Sequence, residues 1–158
     1  MPRNKKYWKR RFGAIESTAY HNHLDLRPIP DLDDEGLAYL LTNVKGINML
    51  DLNETEVSNE SITLLTKLDY VNELGIKGCT NIDDACIPDL NKLTSLQFLY
   101  LRNSGITMDG LLQLDALTKL TRLLLSVDDT ENLESKMLLL KNRFPGCDFV
   151  VNSVPYIF

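Results

Sequence analysis

His21 and His23 stand two residues apart, with Asp25 two further on. On a strand all three would share a face, which is how a metal pair is presented. The chain holds only two histidines, so the third nitrogen that such a centre needs is missing. The three cysteines, Cys79, Cys86 and Cys147, are an odd number without a CxxC pair. They fit a reducing compartment better than a disulfide framework, and none has a histidine beside it to make a nucleophile. The acids of Asp33-Asp34-Glu35 and Asp83-Asp84 lack the mid-loop glycine and terminal glutamate of a calcium loop; they read as helix-start residues. No GxxxxGK[ST], GxGxxG or GxSxG occurs. Neither a catalytic group nor a metal, cofactor or small-molecule substrate is expected, and the remaining chemistry is recognition.

Charge is divided unevenly along the 158 residues. Residues 1–11 carry six basic groups (Arg3, Lys5, Lys6, Lys9, Arg10, Arg11) and no acid. The body keeps 11 of the 17 basic and all 22 acidic residues, a net charge of −11. An acidic body repels phosphate backbones, which argues against nucleic acid, and it steers a basic protein towards itself. No apolar run approaches a membrane span, and no apolar segment follows the N-terminal charges as a secretory signal would require. A cytoplasmic protein is expected; the alternative is a mitochondrial one, because residues 1–15 are basic with no acid.

The elements that position these residues repeat. "INMLDLNET" starts at Ile47, "VNELGIKGC" at Val71, "LQFLYLRNS" at Leu96 and "LTRLLLSVD" at Leu120, at steps of 24 or 25 residues. Each line has aliphatic residues at relative positions 1, 4 and 6 and a small or polar residue at 9 (Thr55, Cys79, Ser104, Asp128). A helix-start residue follows in three of them, Ser58, Asp83 or Thr107, whose side-chain oxygen can take an orphan backbone N–H. Acids in the first turn favour the helix dipole. Apolar residues then recur at helical spacing: Ile62, Leu65, Leu68; Ile87, Leu90, Leu93; Leu111, Leu114, Leu117. A less regular copy precedes these around Leu24, Leu26 and Asp33. A last copy carries a longer helix, about residues 130–143, closed by Pro145-Gly146, after which a final short strand is expected in "CDFVV".

This pattern resembles the leucine-rich repeat family, in its helix-containing, cysteine-type form, over about residues 20–151. The resemblance implies an α/β solenoid of about five repeats plus caps, with a parallel β-sheet on the concave side and α-helices on the convex side. No F-box-like segment accompanies it. A strand-plus-helix unit cannot bury its own apolar stripe, so neighbours must stack and the ends need covering. Residues 1–19 form a basic arm. Trp8, Phe12 and Ile15 share a helical face, so residues 4–17 are expected to lie over the first repeat with their lysines and arginines in water; a disordered tail or a targeting segment is the alternative. Residues 152–158 are expected to be a tail.

Strand alternation then turns three rows of side chains to the hollow side. The first is His23, Met49, Glu73, Phe98, Arg122; the second Asp25, Asp51, Gly75, Tyr100, Leu124; the third Arg27, Asn53, Lys77, Arg102, Ser126. Aromatic residues and arginine are enriched where interfaces concentrate their energy. The expected partner-binding set is Asp25, Asp51, Glu73, Lys77, Phe98, Tyr100, Arg102, Arg122 and Leu124. The expected function is a non-catalytic module that binds another protein, as adaptor or as inhibitor or immunity protein. A scaffold subunit or assembly factor of a larger, organellar complex is the alternative.

Overall fold

The computed structural model describes residues 3–15, 18–128 and 132–158. Strands and helices alternate: α1 (Lys5–Phe12), β1 (Tyr20–Asp25), α2 (Asp34–Leu40), β2 (Gly46–Asp51), α3 (Asn59–Leu65), β3 (Tyr70–Gly75), a 3-10 turn (Asp84–Cys86) continuing into α4 (Ile87–Leu90), β4 (Phe98–Tyr100), α5 (Met108–Leu111), β5 (Arg122–Leu125), α6 (Leu133–Arg143), β6 (Asp148–Val151) and β7 (Val154–Pro155). The fold is α/β. One open sheet takes the strands in chain order, parallel from β1 to β6 and antiparallel at β7.

The register follows the sequence copies. Leu50 lies beside Leu74, Leu74 beside Leu99, and Leu99 beside Leu123. These four and the next aliphatics along, Leu52, Ile76, Leu101 and Leu125, are at most 2% exposed and share one core with Ile62, Leu90 and Leu111 of the helices. Each buried leucine is worth roughly 1.5–3 kcal/mol. That is why the aliphatic pair, rather than the weak propensity of a three-residue β4, holds each strand in place.

Polar bonds of the same period lock neighbouring units. Asp34, first residue of α2, accepts from the N–H of Ser58, the N-cap of α3, at 2.8 Å. Asn59 accepts from the Asp83 N–H at 3.0 Å, and Asp84 from the Thr107 N–H at 2.8 Å. So Ser58, Asp83 and Thr107 cap their helices as the sequence suggests, and each is itself held by the helix before it. Asn22, Asn48 and Asn72 form an amide ladder, with Nδ2-to-Oδ1 distances of 3.2 and 3.0 Å. The turn residues close the strand ends: the Thr55 and Ser104 hydroxyls donate to the Leu52 and Leu101 carbonyls, and the Cys79 thiol also donates to Leu52. The same two carbonyls also accept the backbone N–H groups of Thr55 and Ser104, at 3.2 and 3.3 Å.

An added element packs at each end of the fold, α1 on α2 and β7 on β6. α1 is shorter than the expected 4–17 span, because Gly13 takes a left-handed φ of 71° and ends it after Phe12; residues 16–17 lie outside the described residues. Trp8 is fully buried, its indole Nε1 donating to Asp33 Oδ1 at 2.7 Å. Its ring occupies the space over Gly36, where a Cβ would come within 2.5 Å of Cε2. Lys5, Lys6, Lys9, Arg10 and Arg11 are exposed, Arg11 pairing at the surface with Asp31 at 2.6 Å, and Arg3, ahead of the helix, pairs with Glu56 at 2.8 Å. At the far end α6 starts at Leu133, residues 129–131 lying outside the description, and buries Met137 and Leu140. The residues expected as a tail add β7, and the Phe158 ring meets Phe149 edge-on at 5.9 Å. No helix is long and apolar enough to cross a membrane among the described residues.

Candidate functional site

The sheet face away from the helices carries the three rows. His23, Met49, Glu73, Phe98 and Arg122 are consecutive partners in register, as are Asp25, Asp51, Gly75, Tyr100 and Leu124. Leu99 and Leu101 turn into the core, so Phe98, Tyr100 and Arg102 point the other way. Phe98, Tyr100 and Leu124 are half-buried, neither in the core nor freely solvated, and Arg122 is exposed. The rows run one strand further than the sequence suggests. Asp148 lies beside Arg122 and Val150 beside Leu124; Phe149 and Val151 repeat the buried pair of the earlier strands, which was the available signal.

The N-terminal flank is less acidic than its residue types imply. Arg27 bonds Asp25 through Nε at 2.8 Å and Nη2 at 2.7 Å, and its Nε lies 3.2 Å from Asp51. Two carboxylates thus share one guanidinium. The hydrogen bond from Arg27 outweighs the cost of burial and lowers the Asp25 carboxyl to about 2. A depressed carboxyl contributes stability above its unfolded value, near 3.9, and loses it as pH falls through the folded one. The pair is solvent-screened, so the titration is the better readout than the melting temperature. Carboxyl NMR is expected to place the Asp25 midpoint near 2 in the native protein and to return it towards about 4 in Arg27→Gln; an unchanged midpoint would remove Arg27 as the cause.

Lys77 pairs with Glu54 at 3.0 Å. Arg102 reaches across the sheet to the Ser153 hydroxyl in the turn before β7, and its buried Nε has no partner among the described residues. These two therefore brace the loops above the rows, while Glu73, Phe98, Tyr100, Leu124 and Arg122 form the open part. Between the two halves lies a shallow hollow of about 80 Å³. Gly75, between Asp51 and Tyr100 in register, contributes to its lining. Met49, Glu73 and Phe98 rim it in the neighbouring row. Its depth depends on side-chain packing and was not legible from the row pattern.

The remaining candidates do not converge. Among the described residues, no three His, Cys, Asp or Glu side chains are grouped to hold a metal ion. All three cysteines are buried and unpaired. Burial pushes the Cys86 and Cys147 thiols up to about 12 and raises Cys79, which leaves each far from a reactive thiolate at neutral pH. What the arrangement can do is present aromatic, aliphatic and charged side chains together from a sheet held by its buried leucines. Compared with known protein families, the chain matches no family model.

Proposed function

We propose that this chain is a leucine-rich-repeat solenoid whose open sheet face is concave and grips another protein without catalysing a reaction. The observation that carries this reading is the half-buried group Phe98, Tyr100 and Leu124 on that face, with Glu73 and the exposed Arg122 beside it. A row of strands about 4.8 Å apart spans roughly 20 Å over five strands. With its adjoining loops it suits one side of a standard interface, about 800 Å². Rings at the centre and ions around them are the usual distribution of interface energy. The acidic body favours a basic partner, which fits an adaptor, or an inhibitor or immunity protein that covers the partner's working surface.

The competing role, scaffold subunit or assembly factor in an organelle, uses residues 1–15 as an address. Burial of Trp8 against Gly36 supports a cap instead. The test is affinity capture with mass spectrometry, run in parallel on the native chain and on Phe98→Ala/Tyr100→Ala. A basic protein retained by the first and reduced at least about 100-fold on the second, with little change in melting temperature, is the expected result. Equal retention would reject the open face as the site.

A further inference from the structure

We infer that the hollow over Gly75 receives a single arginine side chain from the basic partner, and that Glu73 with the Phe98 and Tyr100 rings selects it. This rests on the proposed function and names the group that the face recognises.

Three observations carry it. The first is shape. A hollow of about 80 Å³ exceeds the ~10–15 Å³ that one water molecule needs on the same measure, so it admits a small head group. Its floor is polar: a Cβ at Gly75 would lie 2.9 Å from Asn53 Oδ1 and 3.2 Å from Asp51 Oδ1, so these two oxygens already lean over the glycine. The second is the wall chemistry. Glu73 and Phe98 are register partners, and Tyr100 is the register partner of Gly75 itself. A carboxylate beside two aromatic rings favours a cation that can bond at its edge and stack on its face; the planar guanidinium does both, whereas an ammonium is a compact, strongly hydrated charge.

The third is an occupied counterpart on the same face. Arg27 already lies forked on Asp25 and against Asp51, so the sheet surface holds a guanidinium on carboxylates one strand away. Asp25 and Asp51 share that one cation. Among the described residues Glu73 makes no ion pair, and the hollow beside it keeps a negative balance that an incoming arginine neutralises. The match of charge extends beyond the hollow, since residues 12–89, which include Glu73 and Gly75, carry 15 acidic and 4 basic residues.

The test uses the full chain, labelled with nitrogen-15, and a blocked pentapeptide with one arginine among glycines as the probe. Matched peptides carry lysine, or citrulline, which keeps the shape and loses the charge. The expected result is saturable amide shifts centred on Glu73, Gly75, Phe98 and Tyr100 with a Kd in the millimolar range, as ~4 kcal/mol of binding gives. The citrulline peptide and the Glu73→Gln chain should each bind about tenfold more weakly, and the lysine peptide several-fold more weakly. Absence of saturable shifts, equal binding of citrulline, equal binding of lysine, or shifts centred on other acids would each overturn the inference. Its failure is separable from that of the wider reading. If Glu73→Gln retains the protein partner fully while Phe98→Ala/Tyr100→Ala loses it, the face binds but the arginine site is wrong. If the double variant retains the partner, the face itself is wrong.

Discussion

Trp8→Ala is expected to destabilise the protein by about 3–5 kcal/mol, the cost of emptying a buried tryptophan site. The indole is fully buried, bonded to the carboxylate that also caps α2, and stacked on Phe12 at 5.2 Å. Removing it uncovers Leu32 and Leu37, both fully buried, at the end of the sheet where no further strand takes over. The ion pairs of Arg3 and Arg11 do not compensate, since partly exposed pairs of this kind contribute about 0–1 kcal/mol each. For a chain of this size the loss corresponds to roughly 10 °C in melting temperature. A thermal melt that shifts by less than about 2 °C would show that the arm is an accessory rather than a cap. Arg11→Gln is the control and is expected to fall within that smaller range.

Leu99→Ala and Tyr100→Ala sit side by side in β4 and should differ widely. Leu99 is fully buried between Leu74 and Leu123, which are themselves fully buried. Its truncation is expected to cost about 3–5 kcal/mol. Tyr100 faces the other way, half-buried beside Gly75, and its truncation is expected to cost about 1 kcal/mol or less. Chemical denaturation of the two variants gives the comparison directly. Similar losses would mean that both faces of the sheet are structural, and the ring would lose its claim to be there for a partner.

How much was legible can be said from individual residues. The register of β2 to β5 was, because a one-residue slip would carry Leu50, Leu74, Leu99 and Leu123 to the wrong face together. The caps were too, since Ser58, Asp83 and Thr107 each precede a helical stripe and have the side-chain oxygen that the position needs. Helix length was not. Pro88 and the 3-10 turn shorten α4 to four residues, a balance of local geometry that a periodic apolar stripe does not encode. The final strand was legible after Pro145-Gly146, but its place in the rows was not, because Asp148 follows a longer helix and falls outside the 24-to-25-residue step. β7 has two residues and no alternation to read.

In the candidate site the residue types were legible and their partnerships were not. Arg27 and Asp25 are two apart, and only the curl of the arginine back onto its own strand shows that the acid is spent locally. Arg102 was expected to frame the rings; its contact with Ser153 depends on where the last turn folds. Gly75 appeared as a gap in a list of side chains. That it lines a hollow together with Asp51, Asn53, Glu73 and Phe98 depends on how those side chains fold over it.

Hydroxyl-radical footprinting of the chain alone and in complex with its captured partner tests the central claim most directly. Met49, Phe98 and Tyr100 report from the open sheet face, while Leu138 and Leu139, 47% and 54% exposed on α6, report from the opposite side. The account predicts that labelling of the first three falls on binding and that labelling of the two leucines is unchanged. Protection of Leu138 and Leu139 with no change at Met49, Phe98 and Tyr100 would contradict it.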